Sequence, residues 1–154
     1  MNQGTKAVLL SIVAVLGGLL FNFLIFDATL LTIHLFRWHI IVTILCMALW
    51  VYILIFAAKN NLRKILLYYS MFWMLVFFTA ILHLFLYQLE PHYPIHWAVT
   101  FLVIPFTILL FGQFMGMAYW FWGSLSIFLT IILVFSLGMS IASMVLGRFS
   151  CKDK

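Results

Sequence analysis

Residues 7–26 read AVLLSIVAVLGGLLFNFLIF, a run without a single charged side chain. A helix needs about 20 apolar residues to cross the core of a bilayer, so this run is long enough for one span. Lys6 precedes the run as it would in a secretory signal, but the run is too long and no small-x-small cleavage pattern follows it. We therefore interpret it as a retained first transmembrane helix.

The rest of the chain has the same composition. Hydrophobic residues make up 68% of the 154 residues and charged residues 7%, and the mean hydropathy is +1.26. Such a chain has too few polar side chains to cover a water-soluble fold, and its apolar stretches leave no room for a soluble domain. The net charge of +5 is scattered, which indicates lipid headgroups and not nucleic acid as the partner.

Polar residues divide the chain into five apolar segments, which predicts an all-α polytopic transmembrane bundle folded as one domain over residues 1–154. Three of the breaks are plain, and they cover Asp27–His39, Lys59–Lys64 and Gln88–His96. The predicted spans cover residues 7–26, 39–58, 65–87, 96–117 and 121–146.

The fourth break is the least clear, because no charged residue occurs in residues 97–146. Tyr119, Trp120 and Trp122 suit the headgroup zone, so we place a tight turn there. A broken or re-entrant helix at Gly112–Gly116 is the alternative. With five spans, the carboxy-terminal tail lies on the same side of the membrane as the first and third loops.

Basic residues orient a membrane protein, and here they divide equally between the two predicted sides. The sets are Lys6, Lys59, Arg63 and Lys64 on one side, and Arg37, Arg148, Lys152 and Lys154 on the other. Because the second loop is short and dense in charge, we expect it and the amino terminus in the cytoplasm. The first and third loops then lie outside a plasma or inner membrane.

Small residues recur at helical spacing in two places, where they would let another helix approach closely. These sets are Ser136, Ser140, Ser143 and Gly147 in the last span, and the GxxxG pair Gly112 and Gly116. They predict packing within the bundle or against a partner subunit, including a second copy of the chain.

All five histidines and two of the three acidic residues are predicted on one face of the membrane. For any single histidine, the simpler interpretation is an amphipathic side chain at the headgroup level. His39 and His83 lie roughly 5 to 10 Å below the same surface at 1.5 Å per helical residue. Two such imidazoles on neighbouring spans predict a site for a b-type haem or a quinone.

The third loop contains a second candidate set, Glu90, His92 and His96, which His34, His39 or Asp27 of the first loop could join. Imidazole and carboxylate ligands suit zinc, copper or iron. Pro94 disfavours a regular helix that would bring His92 and His96 to one face. The set predicts a transition-metal site, and no catalytic residue is assigned to it.

Three classes of function remain at this stage. The first is a small subunit or accessory protein of a larger membrane complex without catalytic activity of its own, and a redox complex is its most specific form. The second is a small oligomeric transporter or flippase, for which Asn22 and Gln113 are the polar residues within spans that matter most. The third is a histidine-ligated membrane metalloenzyme. No nucleophile elbow or phosphate-binding glycine loop occurs in the sequence.

Overall fold

The computed structural model describes residues 2–29, 36–88, 110–114 and 125–149. Within these ranges the chain forms four long helices and no strand, and each helix is long and apolar enough to cross a membrane. The helices are α1 (Gln3–Thr29), α2 (Phe36–Lys59), α3 (Arg63–Gln88) and α4 (Leu125–Phe149), with a short 3-10 helix at Gly112–Phe114. The prediction of a helical membrane bundle is confirmed.

The predicted count of five spans differs from the structure, because the described residues contain four helices of spanning length. Four of the predicted spans correspond to α1, α2, α3 and α4. The remaining one, 96–117, lies mostly outside the described residues. Its described part leaves α-helical geometry at Gly112 and continues as the 3-10 helix, so the chain tightens where a spanning helix would continue.

A tight link joins α2 to α3. Asn61 adopts a left-handed backbone conformation with φ of 52°, which asparagine tolerates better than most residues. The Leu62 amide donates to the Ala57 carbonyl at 3.0 Å, and the Asn61 amide donates to the Ala58 carbonyl at 3.1 Å. These are the two bonds of a Schellman cap, which ends α2 and lets α3 begin within three residues.

Contacts between α3 and α4 show that the two helices are antiparallel. Gly147 lies against Leu66, with 3.6 Å between the Leu66 Cβ and the position of a Cβ at Gly147. Further along, Ser140 pairs with Ser70, and the Phe135 ring lies 5.3 Å from the Trp73 ring. As residue numbers rise in α3 they fall in α4, so α4 ends beside the start of α3.

The same reasoning places α1. Its residue Lys6 lies over the Phe56 ring near the end of α2, and Ala14 meets Cys46 further along, so α1 and α2 are antiparallel. Two ends of the bundle follow. The basic end holds the start of α1, the α2–α3 link and the end of α4. The histidine end holds the end of α1, the start of α2 and the end of α3.

This arrangement corrects the prediction for the carboxy-terminal tail. Because α3 runs away from the basic end and α4 returns to it, Arg148 lies at the basic end and not with the first and third loops. The connection from α3 to α4 therefore begins and ends at the histidine end. An even number of crossings replaces the odd number that five spans require.

The core is aromatic and centres on Trp73, whose side chain is fully buried. The Trp50 ring meets it edge-on at 5.0 Å, and the rings of Phe72 and Phe135 also meet it edge-on. Edge-to-face pairs of this kind are favourable beyond the area they bury. Since lipid surrounds the helices, close packing has to supply much of the attraction that water supplies in a soluble protein.

Candidate functional site

The 3-10 helix lies near the middle of the bundle. The ring of Phe114, the last residue of this 3-10 helix, lies 6.2 Å from the ring of Trp73. At 1.5 Å per residue, Trp73 lies roughly 15 Å along α3 from the start of that helix. The bilayer core is about 30 Å thick, so this depth is close to its midplane. Phe111 lies nearer the histidine end, with its ring 5.9 Å from that of His83. The chain thus descends from the histidine end to the midplane between Phe111 and Phe114.

Gln113 fixes this turn through both halves of its amide. Its Oε1 accepts a hydrogen bond from the Trp50 indole N–H at 2.8 Å, and its Nε2 donates to the Leu110 carbonyl at 3.3 Å. The side chain is fully buried. Backbone that leaves regular helix at this depth is tolerated only where protein satisfies its polar groups, and Gln113 supplies part of that satisfaction.

Gly18 lets α1 approach the turn and α2 together. A Cβ on Gly18 would lie 2.8 Å from the Cys46 Sγ and 2.8 Å from the Gln113 Cβ, which is closer than real contacts allow. We define the turn site as Gly18, Cys46, Trp50 and Gln113. Three separate segments of the chain meet there.

Two buried polar atoms near the turn site have no hydrogen-bond partner: Thr43 Oγ1 and Trp73 Nε1. Aromatic rings surround Trp73, and their π faces are weak acceptors for an N–H group. Thr43 lies one helical turn before Cys46 on α2, and its side chain is also fully buried.

The predicted haem or quinone ligands belong to helices that meet at the histidine end. His83 is half-buried near the end of α3, and its imidazole packs against Phe111. His39 lies in the first turns of α2, and Asn22 lies in α1, but both side chains are outside the described part. The site that joins His39 to His83 remains a prediction.

The predicted metal ligands His34, Glu90, His92 and His96 all lie outside the described residues. Among the side chains that are described, no three His, Cys, Asp or Glu residues gather as they would around a metal ion. The end of α1, the start of α2 and the end of α3 do lie at one end of the bundle. The metal site in the loops that leave that end also remains a prediction.

The small residues of the last span lie on one buried face of α4. Ser140 and Ser70 exchange hydrogen bonds, each hydroxyl donating to the other residue's carbonyl, at 3.1 and 3.2 Å. Ser136 and Ser143 are buried, and Gly147 meets α3 at Leu66. Of the GxxxG pair, Gly112 begins the 3-10 helix and Gly116 lies outside the described residues.

A lateral groove of about 390 Å³ opens between α1 and α3. Its walls include Ile12, Val15 and Leu16 of α1 and Tyr68 and Phe72 of α3, and Trp50 lines it from α2. Ser11 and Tyr69, which also line it, are already bonded to each other and to the Ala7 carbonyl. The groove therefore offers an apolar surface to whatever lies beside the bundle.

Comparison of the chain with protein-family models, curated proteins and solved structures finds no match. What can be inferred about function therefore comes from the geometry.

Of the turn site, the sequence had indicated Gln113, and it missed Gly18, Cys46 and Trp50. Two signals pointed to the missing residues. A tryptophan in mid-span has an N–H that needs a partner, and a glycine inside a helical run often marks a close backbone approach.

Proposed function

We propose that this protein is a small integral membrane subunit or accessory protein, which acts by binding another membrane component and not by chemistry of its own. One observation carries the proposal. Most buried polar side chains of the described residues are used in hydrogen bonds within the bundle. Some join two segments, as in Trp50 with Gln113, Ser70 with Ser140 and Tyr69 with Ala7, and Thr79, Ser136 and Ser143 bond to carbonyls of their own helices. Thr43 Oγ1 and Trp73 Nε1 are the exceptions. A concave surface among the described residues, the lateral groove, opens at the side of the bundle.

The test is gentle extraction from native membranes followed by native mass spectrometry. A subunit should leave the membrane with defined partner chains in fixed ratio, including further copies of itself if it self-associates. A monomer that carries no other chain in any mild detergent would contradict this role.

The more specific form of this proposal is a redox complex, with His39 and His83 holding a b-type haem or contacting a quinone. It is supported by the position of both residues on helices that reach the histidine end. An absorption spectrum of the same sample, with analysis of bound iron and quinone, tests it. A Soret band lost in His83→Ala is expected, and a sample without haem, iron or quinone would reject it.

The orientation we propose follows from the basic end. It carries Lys6, Lys59, Arg63, Lys64 and Arg148, whereas Arg37 is the cation that the described residues place at the histidine end. Excess Lys and Arg marks the cytoplasmic side of a membrane protein. We therefore place both ends of the bundle's chain, Gln3 and Phe149, in the cytoplasm and the histidine-bearing loops outside.

The second candidate is a transporter or flippase acting as an oligomer, and the turn at the midplane favours it. Interrupted helices within membranes commonly line the binding sites of transporters. Gln113→Leu and Asn22→Leu should then each lower flux in proteoliposomes, with Thr130→Val on the exposed face of α4 as a control. Flux of every tested substrate at the parent rate in both variants would reject transport.

A metalloenzyme is the third class, supported by the four ligands that the sequence places in the first and third loops. It predicts stoichiometric zinc, copper or iron, lost in His92→Ala and in His96→Ala. Retention of the metal in both variants, or a parent protein without metal, would reject it.

A further inference from the structure

We propose that the lateral groove binds one acyl chain of an anionic phospholipid from the leaflet at the basic end, with the phosphate held at Lys64. This goes beyond the proposed role as a subunit. It concerns a lipid site on the protein's own surface, whatever other chains the protein binds.

The depth of the groove matches a single leaflet. Tyr68 lies about 8 Å along α3 from its start, and Leu16 lies about 20 Å along α1 from its start, at 1.5 Å per residue. Both helices begin at the basic end, so the groove extends from just below the headgroups to about the midplane of a 30 Å core. An acyl chain from the leaflet at the basic end reaches the same depth, so it can lie along the whole groove.

The chemistry of the walls suits a hydrocarbon chain. Ile12, Val15, Leu16 and Phe72 present aliphatic and aromatic surface, and the Ser11 and Tyr69 hydroxyls are engaged with the Ala7 carbonyl. A polar ligand would find few free partners here. Burying an acyl chain against the walls costs no hydrogen bond.

Charge at the mouth of the groove selects the headgroup. Lys64 is exposed and lies one turn before Tyr68 on α3, so the two share a face. Its aliphatic stem can follow the helix while the ammonium group stays among the headgroups. Asp27, at the far end of α1, is the one carboxylate among the described residues, so none opposes an anion here.

The experiment compares lipid retention by the full chain. The protein is delipidated in detergent and mixed with dioleoyl phosphatidylglycerol or dioleoyl phosphatidylcholine, and bound lipid is counted by native mass spectrometry. We expect one tightly held phosphatidylglycerol and weaker retention of phosphatidylcholine. Equal retention of the two lipids would overturn the proposal.

Matched variants locate the site. Val15→Phe should fill part of the groove and displace about two methylene groups of the acyl chain. At about 0.8 kcal/mol per methylene, this lowers the affinity for phosphatidylglycerol about tenfold. Val13→Phe adds the same ring at a side chain that is 59% exposed on the opposite face of α1, and should leave affinity unchanged. Equal affinity in the two variants would overturn the proposal.

A charge pair tests the headgroup contact. Lys64→Gln should weaken binding about fivefold, from about 1 kcal/mol per basic residue near a charged surface. Lys59→Gln is the control. Trp50 lines the groove, and Lys59 lies two and a half helical turns after it, on the opposite face of α2. An equal loss in both variants would reduce the effect to general surface charge and overturn the site.

A further measurement needs no variant, in case Val15→Phe does not fold. Phosphatidylglycerol with a photoreactive group in its acyl chain should label peptides from α1 and α3 that contain residues 11–16 and 68–72. Labelling spread evenly over the exposed face of α4, or a second protein chain crosslinked at the groove, would overturn the proposal.

Discussion

Gly18 has no side chain, and the close packing of α1 against α2 and the turn depends on that absence. Gly18→Ala should lower the free energy of unfolding by about 1 to 3 kcal/mol, because the new methyl group overpacks a site between two helices and the turn. The measurement is unfolding in mixed detergent micelles. We expect part of the loss to be recovered in Gly18→Ala with Cys46→Ala, which removes one of the two clashing atoms.

Gly17 provides the control for this change. It is exposed on α1, and a Cβ there would meet nothing within 4 Å. Gly17→Ala should leave stability unchanged or raise it by up to about 1 kcal/mol, since alanine favours helix over glycine. Similar losses at both positions would show that the cause is α1 itself and not the turn site.

The bond between Trp50 and Gln113 should couple the two residues energetically. Gln113→Leu leaves the Trp50 N–H buried and unpaired, which costs about 1 to 3 kcal/mol, and Trp50→Phe removes the donor instead. In the double variant the losses should fall short of their sum by about 1 kcal/mol. Additive losses in a double-mutant cycle would contradict the bond.

At the level of single residues, the sequence predicted less than it did for whole helices. Gln113 stood out because an amide within an apolar run needs a partner. The sequence did not indicate Trp50 as the partner of Gln113, because Trp50 is one of six tryptophans and lies 63 residues away in the chain. Which residue faces which depends on how the helices are turned about their axes. Hydropathy does not show this when nearly every position is apolar.

Among the elements, α3 and α4 form the closest pair, and their register can be trapped. In Ser70→Cys with Ser140→Cys, the two thiols should form a disulfide under mild oxidation, because the hydroxyls they replace lie 3.2 Å apart. Mass spectrometry of the digested protein measures the crosslink. The pair is made in a Cys151→Ser background, and the other native cysteine, Cys46, is buried and should not compete.

Ser126 offers the control for this pair. It is exposed near the start of α4, at the other end of the bundle from Ser70. Ser70→Cys with Ser126→Cys should stay uncrosslinked. A crosslink that forms equally well there would mean that α3 and α4 lack a fixed register.

The extents of α1, α2 and α3 and the end of α4 could be predicted from the sequence to within a few residues, because each of these boundaries lies where charges or several polar residues begin. The start of α4 could not, since no charge marks it. The prediction of a span over residues 96–117 shows the limit of composition. The described residues Leu110, Phe111 and Phe114 are buried inside the bundle, and a buried segment is as apolar as one that faces lipid, so composition does not tell the two apart. Only the direction of α4 against α3 shows that the chain comes back to the histidine end.

For the whole molecule, this return has a consequence for accessibility. A membrane-impermeant maleimide should label native Cys151, two residues beyond α4, from the same compartment as a cysteine introduced by Asn60→Cys in a Cys151→Ser background. His92→Cys in the same background should react from the opposite compartment. Labelling of positions 60 and 151 from opposite compartments would indicate an odd number of crossings and refute the fold.

The Schellman cap at Asn61 also constrains how the protein is made. The link between α2 and α3 is three residues, which reach about 10 Å when extended, far less than the thickness of the bilayer core. Neither helix can therefore lie across the membrane while the other remains in water at the surface opposite to the link. The two helices therefore cross the membrane as a hairpin whose link, together with Lys59, Arg63 and Lys64, stays on one side of it.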